Sequence, residues 1–551
     1  MNNPVIQREL VSMLSHPRAI AVQAVPAAVF VLLVVIRWPT DSRVDLSGAQ
    51  SRQVFSLFGY GLLATMILLV PAFPATSIVR EKTSGTLSLL LNSPMSAWSI
   101  YFGKLLAVLA FVLLPLAVSI PAAASCYAVG GLRFEDDFLG LYLILTLLAL
   151  QCTVLGLLVS SLANSSDAAL RITYGLVLLI TVISPGPHQF LQGSSWGWIS
   201  DAALWMRYLS PVPPVMEIVG HGDIGGHGLV VAKVSPWRYA AVSLGITVIG
   251  MLLTVRRLRP AMFDRARSAG VITDDRSGLQ RFLRRLIFIV DPQRRSRLIG
   301  RFTNPVLVKE FRSRRFGRSQ WLLRLVAVCA VASLGLTYFS TTGTMDWGVD
   351  TIGGMLVVLE VALIGLITPS LGSGLISSER ETGGWTLLQT TPLSTGKILR
   401  GKLLSAFWPL VLILFATLPG YAVMIFIEPS LTQQISYVLF TLLLTALFAL
   451  VLSVAVSSLS RRTAVATLTS YTLLLACWAG TLLVWLGRDT FDTETVESVL
   501  KFNSAAAALS MMGAPGFDYQ LVPANWRLIG AASVACLCVL YVQTWRLTRP
   551  R

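Results

Sequence analysis

Charge is what this sequence has least of. Only 13% of its 551 residues are charged, against roughly 25% in a soluble domain, which excludes an ordinary water-soluble fold. The six cysteines, Cys126, Cys152, Cys329, Cys477, Cys536 and Cys538, each lie in or beside an apolar block. Their spacing suits neither a disulfide framework nor a zinc site. Four histidines give no HExxH pair; His221 and His227 fall in a glycine-rich run near Glu217, a poor frame for the four rigid ligands of a metal centre. No G-x-x-x-x-G-K-[ST] string is present to cradle a nucleotide: Gly103-Lys104 and Gly401-Lys402 are followed by Leu, and Gly396-Lys397 by Ile. The expectation is a chain without catalytic residues, cofactor or metal of its own.

What the sequence has is apolar length. Hydrophobic residues fill 54% of positions and mean hydropathy is +0.70. They gather in blocks of about 20 residues, enough to cross a hydrocarbon core, rather than in the alternating segments of about ten that mark a barrel. Lipid offers backbone amides no partner, so such blocks must be helical. The expected fold is an all-α polytopic membrane protein with twelve transmembrane helices. The first six cover residues 19–38, 54–78, 102–129, 138–162, 168–184 and 237–255; the second six cover 321–338, 352–376, 403–427, 435–459, 464–486 and 526–541.

The net charge of +17 follows from topology. With both termini in the cytoplasm, the thirteen arginines from Arg256 to Arg301, the pair Arg461-Arg462 and the tail arginines all fall inside, as the positive-inside rule requires. The acidic stretches Glu135-Asp136-Asp137 and 489–497 fall outside. The Arg-rich run reads as lipid-headgroup contact rather than a nucleic-acid site. The first apolar run is a full span with no cleavable-signal pattern before it, and a prokaryotic cytoplasmic (inner) membrane is the expected location.

Aligned with itself, the chain repeats after about 300 residues. Asn3-Pro4-Val5 and Arg8-Glu9 match Asn304-Pro305-Val306 and Lys309-Glu310; Glu81-Lys82 and Gly85 match Glu379-Arg380 and Gly383. The register continues through Pro94/Pro392, Gly103-Lys104/Gly401-Lys402, Pro71/Pro369, Pro121/Pro419, Ser160-Ser161-Leu162/Ser457-Ser458-Leu459 and Tyr174/Tyr471. With six spans each, the copies share one orientation and form two parallel six-helix repeats. The domains expected are a first repeat at 1–260, an Arg-rich cytoplasmic linker at 261–301 and a second repeat at 302–551.

Two elements of each repeat lie outside the spans. Ile6, Leu10, Met13 and Leu14 fall at helical spacing, predicting an interfacial amphipathic helix over 3–18, repeated at 304–318. After the second span, Thr83/Ser84 and Thr382 are placed to cap a short helix that Pro94 or Pro392 ends. Its apolar residues, Leu87-Leu89-Leu90-Leu91 and Trp385-Leu387-Leu388, call for a protein groove or a membrane face.

This string, Glu-(Arg/Lys)-x-x-Gly, an apolar run, (Ser/Thr)-Pro-(Leu/Met)-Ser, then Gly-Lys at the head of span three, resembles the ABC-two type permeases, the membrane subunits of ATP-driven exporters. It occurs once per repeat, in register. The resemblance implies that 81–96 and 379–394 are coupling helices inserting into ABC ATPase subunits, either two copies or two kinds. Glu81, Gly85, Leu89, Pro94, Glu379, Gly383, Leu387 and Pro392 are the candidate coupling residues. ATP would then be bound by the partner, and the transported substrate would be an amphiphile, lipid, drug or similar molecule. The segments around Tyr208–Pro211 and Phe502–Ser504 resemble the short re-entrant helices of the outer mouth.

Other features belong to one repeat only. Glu360 sits mid-span where the first repeat has Leu62; a charge there is costly, so it is expected to face the bundle interior, either in the translocation path or as a neutral structural group. Gln23 and Gln151 read as interhelical glue. Trp196, Trp198, Trp205 and Met206 make 194–219 an interfacial segment or a contact for an amphiphilic substrate. A proton-coupled carrier and a membrane scaffold with a permease-like fold remain the alternative classes.

Overall fold

A backbone in lipid must satisfy its own amides, and the residues described here do so in helices and turns, with no strand among them. The computed structural model describes residues 4–15, 17–36, 49–128, 131–185, 188, 197–219, 236–258, 304–312, 327, 330–331, 333–335, 349–486, 488, 492–514 and 516–548. The chain divides into two compact units, Met1–Ala266 with Leu483–Val496, and Arg267–Leu482 with Glu497–Arg551.

From the N-terminus the helices are α1 (Pro4–Leu14), α2 (Pro17–Ile36), α3 (Ala49–Leu69), α4 (Ala72–Ser84), α5 (Thr86–Leu91), α6 (Ala97–Ala128), α7 (Gly140–Leu162), α8 (Ser166–Leu178), α9 (Gly197–Arg207), α10 (Val212–Val219) and α11 (Pro236–Arg257). There follow α12 (Pro305–Arg312), α13 (Val349–Gly372), α14 (Gly374–Glu381), α15 (Gly384–Gln389), α16 (Thr395–Ile427), α17 (Thr432–Leu459), α18 (Thr463–Leu486), α19 (Thr493–Leu500), α20 (Ser504–Met512) and α21 (Ala524–Thr548). The same neighbours meet in each unit: α1 packs on α6 as α12 does on α16, α4 on α7 as α14 on α17, and α11 on α7 as α21 on α17.

Among the described residues, nine helical segments of 20 to 33 residues are long and apolar enough to cross a membrane. The expected spans at 19–38 and 168–184 are also helical, as α2 and as α8 prolonged by the π-type turn Leu179–Ile183. Most of the expected span 321–338 lies outside the described residues, as do the linker 261–301, His221, His227 and Trp196.

The second span of each unit is broken, with a matched proline at the break in the first unit and inside the helix just before it in the second. Pro71 sits in the turn between α3 and α4, and Pro369 just before the turn between α13 and α14, because its ring excludes the preceding carbonyl and it has no N–H to give. The broken ends are held from the side. Ser160 Oγ on α7 accepts from Ile78 N and Val79 N at 3.0 and 2.9 Å; Ser457 Oγ on α17 accepts from Ile376 N and Ser377 N at 3.1 and 2.9 Å. Close approach makes this geometry possible, since a Cβ added at Gly156 would lie 2.6 Å from Pro74. Tyr174 and Tyr471 donate to Leu68 O and Leu366 O at 2.7 and 2.6 Å, just before the breaks.

The expected caps take a different form. Thr83 and Ser84 close α4 rather than open α5, donating to Arg80 O and Glu81 O, and Thr382 donates back to Ser378 O. The residue before each short helix is instead a glycine in the left-handed region, Gly85 at φ +78° and Gly383 at +75°. An L-residue there costs about 1–2 kcal/mol, so glycine, not a hydroxyl cap, makes the sharp turn.

Candidate partner-docking site

A lysine near the head of the third span would be an expensive charge to bury alone, and in both units it is buried between two carboxylates. Lys104 is 1% exposed; its Nζ lies 2.9 Å from Glu9 Oε1 on α1 and 2.8 Å from Glu81 Oε2 on α4. In the other unit Lys402, also 1% exposed, lies 3.0 Å from Glu310 on α12 and 2.9 Å from Glu379 on α14. It further donates to Leu375 O at 2.8 Å. A second cation covers each node from the solvent side: Arg8 on Glu81, and Lys309 on Glu379 at 2.6 Å. These outer partners are about half exposed and contribute little to stability. The buried lysines matter more, because removing one partner of a buried pair costs about 3–5 kcal/mol.

Each node ties the amphipathic helix, the lower part of the broken second span and the third span into one piece. Adjacent ties fix the loop after the fourth span. Lys82 Nζ donates to Ala163 O and Asn164 Oδ1 at 3.1 Å, and Arg380 donates to Ser458 O and Ser460 O at 2.7 and 3.0 Å.

On this base stand α5 and α15. Each turns one side chain inward and the next-but-one outward. Leu87 is fully buried and Trp385 is 4% exposed, whereas Leu89 and Leu387 are 73% and 71% exposed. Around the exposed leucines lie Ser84, Thr86, Pro94 and Ser96 in one unit, and Thr382, Thr386, Pro392 and Ser394 in the other, all exposed. The result is an outward apolar knob on a short helix, built twice. Of the candidate coupling residues, Leu89, Pro94, Leu387 and Pro392 lie on this face; Gly85 and Gly383 make the turn into it. Glu81 and Glu379 stand behind it in the charge nodes, a placement that the pairing of Gly103-Lys104 with the upstream glutamates could have signalled.

The remaining candidates lie elsewhere. Glu360 on α13 is fully buried; Tyr421 on α16 donates to its Oε2 at 3.4 Å, and its Oε1 has no hydrogen-bond partner among the described residues. Leu62, at the matching place, is equally buried. Gln151 accepts from Ser243 at 3.3 Å, joining α7 to α11, whereas Gln23 has no such partner among the described residues. At the opposite end of the chain's spans, the segments compared with re-entrant helices form short helices: Ser210 Oγ donates to Thr181 O and accepts from Val212 N at the head of α10. Asn503 caps α20 through Ala505 N and Ala506 N.

Lys104→Met should leave Glu9 and Glu81 without their shared cation and free α1 from α6. Faster amide exchange across Pro4–Leu14 checks this, and unchanged exchange would contradict the node. Acid should act from the other side. Burial pushes the Glu9 carboxyl up, but Lys104 and Arg8 outweigh it and hold its pKa below the ordinary 4.5. A carboxylate with a lowered pKa stabilises fully above its ordinary value and loses that contribution as pH falls through the lowered one. Protection of α1 should therefore stay level from neutrality down to about pH 5 and fall in stronger acid.

A family model described as ABC-2 family transporter protein matches residues 15–266 and 305–487. Each matched segment contains one of the two docking elements, and together they cover most of the chain. No curated protein sequence matches. With its apolar spans and the two matched segments, the chain belongs to the ABC-2 transporter family, as a multi-pass membrane component of an ABC transporter.

Proposed function

We propose that the chain is the membrane-spanning permease of an ATP-driven exporter, two six-span repeats fused in parallel so that one chain replaces a pair of subunits. Family membership implies an ABC ATPase partner. The observation that carries the reading is the twofold recurrence of an exposed leucine, Leu89 and Leu387, on a short helix seated on a buried charge node. An exposed apolar knob fits an apolar pocket on each of two ATPase subunits. Closure of the ATPases would press on α5 and α15, and each node would pass the displacement to the second and third spans and to the interfacial helix. The proposed orientation has both termini and the 261–301 linker in the cytoplasm, twelve spans in all, and substrate of amphiphile, lipid or drug type moving outward.

The test separates docking from folding. Leu89 and Leu387 are largely exposed, so Leu89→Asp with Leu387→Asp should leave insertion and thermal stability near wild type. The same pair should lose co-purification with the ATPase and reduce ATP-dependent transport by tenfold or more, on the order expected for charging a buried interface anchor. Retained ATPase binding in the double variant would sink the reading.

One observation favours a second reading. Glu360 is buried in the second unit with a carboxyl oxygen that has no hydrogen-bond partner among the described residues, the kind of group a proton-coupled carrier uses, and it is proposed here as the translocation-path residue. Glu360→Gln should change substrate range or rate while transport still requires ATP. Transport driven by a proton gradient without any ATPase, and abolished by the same variant, would favour the carrier instead.

A further inference from the structure

The two docking helices are held to the last span of their repeats by different chemistry. Trp237-Arg238 and Arg257-Leu258 match Trp526-Arg527 and Arg546-Leu547, so Leu258 and Leu547 occupy equivalent places at the ends of the sixth spans. In the first unit the contact is apolar. Leu258, 1% exposed, shares a buried cluster with Leu87, and Leu90, Leu91 and Ala97 pack against it.

In the second unit the matching residues are polar and reach the same end of the helix. Trp385 Nε1 donates to Leu547 O at 3.0 Å, and Gln389 Nε2 donates to that same oxygen. Thr395 Oγ1 and Thr548 Oγ1 share a third hydrogen bond at 3.1 Å. The self-alignment sets Trp385 against Leu87, Gln389 against Leu91 and Thr395 against Ala97. Trp385, Gln389 and Thr395 thus each stand where the first repeat has an apolar residue, while Thr548 stands where it has Arg259. The acceptor is a ready one, because the last carbonyls of a helix have no partner within it.

We propose that Trp385, Gln389 and Thr395 form a clasp that makes α15 move as one body with the C-terminal end of α21. The helix α5, which meets Leu258 through apolar contact among the described residues, is freer to slide. Hydrogen bonds fix direction and distance, whereas apolar contact is non-directional. The three are positioning residues for the second docking helix. A push of equal size on both docking helices then moves the last span of the second repeat and leaves that of the first behind. This asymmetry rests on the docking reading, but the clasp itself stands on the contacts of this chain alone.

Hydrogen exchange on the full chain in lipid nanodiscs, without ATPase, tests the clasp directly. In the wild type, amides of 384–389 should exchange about tenfold more slowly than those of 86–91, the order expected from two or three added hydrogen bonds. Trp385→Phe with Gln389→Leu keeps most of the volume and removes both donors, and should erase the difference. Gln389→Glu alone, with the same shape but no donor when ionised, should erase part of it, and Gln389→Lys should preserve it. Equal exchange in the two wild-type helices, or no change in either Trp385→Phe/Gln389→Leu or Gln389→Glu, would overturn the proposal.

A second readout asks for more than a structural role. In the complex with ATPase, the double variant should transport less substrate per ATP hydrolysed while the KM for ATP is unchanged; an unchanged ratio would overturn the coupled movement. Failure of the wild-type chain to bind an ATPase would count against the docking reading only, since the exchange result is obtained without it.

Discussion

A single buried ammonium group organises each docking end of this protein. Lys104 and Lys402 are almost wholly shielded from solvent, each within 3.0 Å of two carboxylates from different helices. A lone cation there would be intolerable; two anions make it stable only while all three helices stay in place. Residues 9, 81 and 104 are thereby locked together although they are far apart in sequence, and residues 310, 379 and 402 repeat the arrangement. A helix standing on such a base can transmit force, because displacing it would unpair a buried charge.

The rest of each docking element follows from that base. The second span is broken at Pro71 and, in the second unit, at Ser373, the serines at 160 and 457 hold the lower part, and a left-handed glycine turns the chain sharply. After the turn only six residues of helix remain, in both α5 and α15, too few to bury both faces. One side chain goes into the bundle and Leu89 or Leu387 is left outside. Exposure of a large apolar residue is thus a product of the geometry.

Much of this was legible in the sequence. The apolar blocks gave the helical class, and the self-alignment placed the two elements at 81–96 and 379–394, within which α5 and α15 lie. Exposure of Leu89 and Leu387 agrees with reading the short apolar run as one that calls for a protein groove or a membrane face. What the sequence obscured was the use made of neighbours distant in the chain. Glu81 and Glu379 looked like charges on the docking face, but their partners Lys104 and Lys402 lie beyond the next turn and draw them behind it. The hydroxyls of Thr83, Ser84 and Thr382 looked like caps, but the positive φ of the following glycines supplied the turn. The hydrogen bond from Trp385 to Leu547 bridges 162 residues, and no local pattern announces it.

The central claim is that an outward leucine on each of two anchored helices is the point where ATP-driven movement enters the membrane. Cysteines placed singly at 89 and 387, reacted with a short photoactivatable crosslinker in the assembled transporter, test it most directly. The expected result is crosslinking of both positions to the ATPase, with a yield or site of attachment that changes between the ATP-bound and nucleotide-free states. Crosslinks to lipid alone, at both positions and in both states, would contradict it.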